Sequence, residues 1–106
     1  ADKLRANLKA ANRPQPKSGY AAHHIVHSFH SYFNAQQSRE ILGKYGVDIN
    51  DAANGVWVTG SQNSSFNAHK YMDKVYNELN QATSKQEVID TLTSIARRID
   101  QNAFYP

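Results

Sequence analysis

The chain has no cysteine among its 106 residues. That excludes disulfides and any zinc centre built on thiolates, so a metal site must draw on His, Asp, Glu or Asn. No apolar run approaches the roughly 20 residues that cross a bilayer. The opening Ala1-Asp2-Lys3-Leu4-Arg5 lacks the apolar stretch of a secretory signal. It also lacks an initiator Met, which points to a fragment cut from something longer. No His-Glu-x-x-His string supports a zincin protease, no Gly-x-Ser-x-Gly elbow supports a serine hydrolase, and no phosphate-cradling P-loop occurs. Asp48 and Asp51 occupy turn positions, where Asp serves the backbone, so a paired-carboxylate glycosidase site is unsupported. Internal repeats and low-complexity segments are absent too.

What is there fits one globular domain over residues 1–106, with 40% hydrophobic residues and a formal charge of +3. The charge permits attraction to a phosphate backbone without demanding it. Leu4 and Leu8 lie at helical spacing ahead of a stiff Pro14-x-Pro16 stretch. Residues 20–27 favour a strand through Tyr20, Ile25 and Val26, and 28–34 read as a loop. Residues 35–45 predict a helix with Ile41, Leu42 and Tyr45 inward, ended by Gly46. Asn54-Gly55 ahead of Val56-Trp57-Val58 is a hairpin signal, and 60–65 read as a mobile surface loop. Helices follow over 68–82, with Tyr71, Met72, Val75, Tyr76 and Leu79 as a core stripe, and over 84–101. The last opens with the capping box Ser84-x-x-Glu87 and carries Val88, Ile89, Leu92, Ile95, Ala96 and Ile99 on one face. The expected class is α+β, mostly helical.

The chemistry concentrates in Ala22-His23-His24-Ile25-Val26. Adjacent side chains on a strand point to opposite faces. One imidazole can therefore hold a metal while the other faces a substrate, since neutral imidazole serves both as ligand and as general base. His69, near the start of a helix, can converge with a strand histidine on one ion such as Mg²⁺, Mn²⁺, Zn²⁺ or Ni²⁺. Asn54 in a turn can hydrogen-bond across the loop and fix a catalytic imidazole. His27 and His30 are the other imidazoles, but a strand keeps His23 and His27 from forming a helical i, i+4 zinc pair. Lys70, Lys74 and Arg97 or Arg98 are candidates for holding a phosphate backbone without sequence preference.

The ordered set Leu4-Arg5-Ala6-Asn7-Leu8 to Pro14, Ala22-His23-His24-Ile25-Val26, Ile41-Leu42-Gly43-Lys44-Tyr45-Gly46-Val47-Asp48-Ile49-Asn50, Asn54-Gly55-Val56 and His69-x-Tyr71 resembles the AHH nuclease family of the His-Me finger (HNH, ββα-metal) superfamily. The resemblance covers residues 4–100 or so. It implies a small β-hairpin plus helix around one divalent ion, packed with N- and C-terminal helices. It implies His24 as the base that activates water, His23 and His69 as metal ligands, and Asn54 orienting the base or bracing the loop. Asn63, Asn67 or water would complete the metal shell, with Mg²⁺ foremost and Zn²⁺, Mn²⁺ or Ni²⁺ as alternatives.

It further implies a DNase toxin domain at the C-terminus of a larger secreted effector, of the Rhs or type VI kind. Such a domain acts as a monomer on DNA in the cytoplasm of a competitor cell, away from membranes, and is neutralised by an acidic cognate immunity protein. A ribonuclease using the same histidines and a non-catalytic metal- or nucleic-acid-binding module are the competing readings.

Overall fold

The computed structural model describes residues 2–105; Ala1 and Pro106 of the domain expected over 1–106 lie outside the described residues. In chain order the elements are α1 (Asp2–Ala10), β1 (Ala21–His24), α2 (Phe33–Lys44), a single 3₁₀ turn (Ala52–Asn54), β2 (Gly55–Val58), α3 (Gly60–Ser65), α4 (His69–Leu79) and α5 (Lys85–Asp100). The class is α+β and mostly helical, with one two-stranded antiparallel ribbon.

The apolar stripes fall where their periodicity puts them. α5 buries Val88, Leu92, Ile95, Ala96 and Ile99, and α4 buries Tyr71, Met72, Val75 and Leu79. At the start of α5, Ser84 Oγ accepts from the Glu87 amide at 3.1 Å. The Glu87 carboxylate reaches the Thr83 amide at 2.7 Å, one residue further back than a capping box requires. α2 begins two residues earlier than expected and buries Ala35, Ser38 and Leu42, while Ile41 and Tyr45 pack only partly against the core. Its end is a Schellman motif. Gly46 takes φ +73°, its amide bonds the Gly43 carbonyl at 3.2 Å, and the Val47 amide bonds the Leu42 carbonyl at 2.9 Å. Val47 and Leu42 are then buried together.

Two expectations change. The polar stretch 60–65 is helical: Thr59 and Gln62 form a reciprocal capping box, and Gln62 Nε2 also donates to the Ile99 carbonyl at 3.1 Å. Its composition looks like a loop, but its cap and its tie to α5 hold it as a helix. Asn54-Gly55 is no hairpin turn either. β2 pairs with β1, about thirty residues upstream, in the register His23↔Val56 and His24↔Gly55. Gly55 has φ −114°, which any residue adopts. What requires glycine there is close approach, because a Cβ would lie 2.8 Å from Leu4 Cδ1 and 3.0 Å from Leu8 Cδ2.

The ribbon is covered on both faces. Val56 and Val58 enter the main core, whereas Trp57 packs with Leu4 and Leu8 in a second cluster. Trp57 Nε1 donates to the Arg13 carbonyl at 2.9 Å. Arg13 returns its guanidinium to the Ala52 and Gly55 carbonyls at 2.8 and 2.7 Å. The segment that follows α1 is thereby fastened to the 3₁₀ turn and to β2.

Candidate active site

The register of the ribbon sends the two adjacent histidines to opposite faces. His23 shares its face with Val56 and the main core, and His24 shares the other with Gly55. His24 is half-buried, and its Nε2 lies 2.8 Å from Asn50 Oδ1. That oxygen only accepts, so Nε2 carries the proton and Nδ1 keeps its lone pair. Asn50 is itself fixed at both ends. Its amide donates to Asp48 Oδ1 at 2.7 Å, and its carbonyl accepts from Asn7 Nδ2 of α1 at 2.7 Å. The chain Asn7–Asn50–His24 therefore leaves one imidazole with its basic nitrogen available.

Asn54, expected either to orient the base or to brace the loop, does not touch His24. It is fully buried. Its Oδ1 accepts from the Val26 amide at 2.9 Å, and its Nδ2 donates to the Ile49 carbonyl at 2.9 Å and the Val26 carbonyl at 3.3 Å. It ties the exit of β1 to the segment carrying Asn50. The ring partner that sequence reasoning assigned to position 54 is four residues earlier, at 50.

His23 is buried, with 7% exposure, and packs against Phe66, Tyr71 and His27. Burial above all, then the neighbouring His27 and His24, takes its pKa down to about 3. It is neutral under ordinary conditions. Tyr71 Oη donates to the Ile25 carbonyl at 2.9 Å and stands 3.4 Å from His23 Nε2. From His23 a row of rings runs outward: His23 to His27 at 5.3 Å, His27 to His30 at 5.6 Å, His30 to His69 at 6.2 Å between centroids. His23 and His69, expected to share an ion, thus stand at the two ends of this row.

His69 opens α4 and is exposed. Tyr32 stacks on it, with centroids 3.9 Å apart and planes 12° apart, and donates its hydroxyl to Asp73 Oδ1 at 2.7 Å. Asn34 Nδ2 donates to the same oxygen at 2.8 Å. These two hydrogen bonds, with a smaller contribution from the nearby His69, hold the Asp73 carboxyl below its ordinary range. His69 and Asp73 are four residues apart and so share one face of α4. Sequence reasoning missed Asp73, although His69-x-x-x-Asp73 carries that spacing.

A family model described as a nuclease family of the HNH/ENDO VII superfamily with conserved AHH matches residues 4–100. The chain belongs to the AHH nuclease family. Neither a curated protein nor a solved structure matches it. Membership makes nucleic acid the substrate class and phosphodiester cleavage the chemistry, and nucleases of this superfamily generally use a divalent metal.

The donor types of this AHH nuclease fit such an ion. Among the described residues, Asp73 Oδ2 and both ring nitrogens of His69 make no hydrogen bond. Imidazole nitrogen with carboxylate oxygen suits Mn²⁺, Zn²⁺ or Ni²⁺ and, through the carboxylate, Mg²⁺. Among the described residues no three His, Asp or Glu side chains converge as a ready cage. Asn63 and Asn67, expected as further ligands, are exposed, and Asn67 Nδ2 donates to the Asn63 carbonyl at 3.5 Å.

Of the expected backbone contacts, Lys70 is exposed beside His69 and Arg97 is exposed on α5. Lys74 lies over the Phe104 ring at 5.1 Å. Arg98 is committed to the fold through both nitrogens on the Glu78 carboxylate. No helix among the described residues is long and apolar enough to cross a membrane.

Proposed function

We propose that this AHH nuclease is an endonuclease toxin domain that cuts DNA with one divalent ion. The observation that carries the reading is the His24–Asn50 hydrogen bond, which leaves Nδ1 of an accessible imidazole free beside a family motif for phosphodiester cleavage. His24 takes a proton from water at Nδ1, the water oxygen attacks phosphorus, and the 3′ oxygen leaves. His69 and Asp73 would hold the ion from α4, whereas His23, buried at the opposite end of the row of imidazoles, does not join them. Bound there, the ion supplies Lewis-acid stabilisation of the phosphate and the leaving oxygen. Asn50 and Asn54 are positioning residues, the first for the ring and the second for the loop. Lys70 is the exposed cation best situated for the backbone, with Lys74 one turn further along α4.

In the same proposal the domain is monomeric and is secreted as part of a larger effector. It acts in the cytoplasm of a target cell and is held in check by an acidic immunity protein.

The test is plasmid cleavage by the purified chain with Mg²⁺ and with EDTA, beside His24→Ala. General-base catalysis contributes on the order of 10²–10⁴-fold, so His24→Ala should lose at least that. Asn50→Ala should lose roughly 10–100-fold and displace the pH–rate profile, because the ring tautomer is no longer fixed. Cleavage by His24→Ala at the wild-type rate refutes the base. Full activity in EDTA on RNA, without DNA cleavage, transfers the same histidines to ribonuclease chemistry.

A further inference from the structure

The chain has four phenylalanines. Phe66 and Phe104 are buried within the aromatic core, at 1% and 2% exposure. Phe29 and Phe33 are 93% and 66% exposed, and neither ring packs on another ring among the described residues. Phe29 belongs to the link between β1 and α2 that also supplies His27 and His30 to the row of imidazoles, and Phe33 is the first residue of α2.

Phe29 is held out by construction. Arg39 reaches back from α2 and donates Nη1 to the His27 carbonyl at 2.7 Å and Nη2 to the His30 carbonyl at 2.8 Å. The Tyr32 amide donates to His30 Nδ1 at 3.1 Å. The carbonyls of His27 and His30, on either side of Phe29, are therefore fixed by one guanidinium, which sets the backbone from which the exposed ring projects. An aromatic ring pre-positioned in water loses little further freedom on stacking.

We infer that Phe29, with Phe33 beside it, is a stacking platform for an unpaired nucleobase of the strand being cut, so that the substrate is engaged where its bases are unstacked. This rests on the nuclease reading. Two features select a nucleobase as the occupant. Residues 25–39 contain no Asp or Glu and carry Arg39, and the one carboxylate that Tyr32 and Asn34 of this segment bind, Asp73, is the group assigned above to the metal ion, so the segment itself presents no negative charge to a polyanion. Phe29 and Phe33 do not pack on each other or on any other ring among the described residues, so they stand as two apolar points and not as the continuous apolar patch of a protein interface. Single-strand binders use such isolated aromatic faces with cationic surroundings.

The experiment uses the full chain with short single-stranded DNA and RNA oligonucleotides carrying 2-aminopurine at successive positions, whose fluorescence falls when the base stacks on a ring. Binding is read with His24→Ala, so that cleavage does not interfere. Quenching at one position should be lost in His24→Ala/Phe29→Ala, with Kd raised between about 5- and 150-fold, the range alanine substitution gives for a stacked base. Phe29→Trp should retain quenching, and Phe29→Ala should melt as the wild type does. No quenched position, or Phe29→Ala that binds and cleaves as the wild type does, overturns the inference. So does a change of oligomeric state in Phe29→Ala with cleavage unaltered, which would make these rings a protein contact. Cleavage without Phe29-dependent quenching removes the platform and leaves the nuclease; quenching without any cleavage of DNA or RNA does the reverse.

Discussion

Asn54→Ala separates a brace from a group that touches substrate. The side chain is fully buried and makes three hydrogen bonds, all to backbone. Alanine strands the Val26 amide and removes the partner of the Ile49 carbonyl. A buried donor left unpaired costs about 1–3 kcal/mol, and the hole left by the carboxamide adds about 1 kcal/mol. The sum is about 2–4 kcal/mol. For a domain of this size each 1 kcal/mol moves Tm by about 4–8 °C, so Tm should fall by about 8–32 °C. Asn54→Asp should be no milder, because its second oxygen would face the Ile49 and Val26 carbonyls that now accept from Nδ2. The assay is thermal unfolding by circular dichroism, with cleavage measured well below the melting range. An Asn54→Ala protein that melts within ~2 °C of wild type, a shift too small for one lost buried bond, refutes the argument. If that protein were also inactive, Asn54 would have to reach the substrate.

Two other outcomes follow from the packing. Gly55→Ala keeps an allowed backbone but drives a methyl to 2.8 Å from Leu4, so the denaturant midpoint should fall by the equivalent of about 1–3 kcal/mol. In Leu4→Ala/Gly55→Ala the combined loss should be smaller than the sum, and strict additivity would sink the close-approach account. The second concerns acid. The folded pKa of His23, down to about 3 chiefly through burial, lies below its ordinary 6.5. The unfolded chain therefore takes a proton that the folded chain refuses. His23 contributes its full stability above about pH 6.5 and loses it as pH falls toward about 3, by at most about 1.4 kcal/mol per pH unit. His27 is lowered for the same first reason and acts in the same direction. Unfolding midpoints of metal-free protein between about pH 7 and pH 4 should fall less steeply in His23→Phe than in the wild type, and parallel curves would remove His23 as the cause.

Local signals in the sequence were legible wherever the structure satisfies them locally. Ser84 caps α5, Gly46 ends α2, and the 3.6-residue stripes of α4 and α5 are buried as their spacing requires. Long-range signals were not. Gly55 resembles half of a turn because its neighbour is Asn, whereas its real constraint comes from Leu4 and Leu8, far away in the chain. Gly60–Ser65 has loop composition, and only the Thr59–Gln62 cap and the tie to Ile99 make it a helix. Within the candidate site the histidines announced themselves by type, but Asn50 and Asp73 did not. Asn50 looks like one turn residue among several until its side chain is seen on His24. Asp73 looks like an ordinary polar-face residue of an amphipathic helix until Tyr32 and Asn34 are seen to saturate one of its oxygens.

The pairing of β1 with β2 across residues 25–54 also bears on how quickly this protein can become active. Closing a loop of that length costs about 3 kcal/mol of chain entropy before any strand contact repays it. α4 and α5 can form from local contacts, but His24 meets Asn50 only after that closure. Activity after dilution from denaturant should therefore return with the slow closure of the ribbon, behind the rise of helical signal. A half-folded chain that is already rich in helix would still be harmless to nucleic acid.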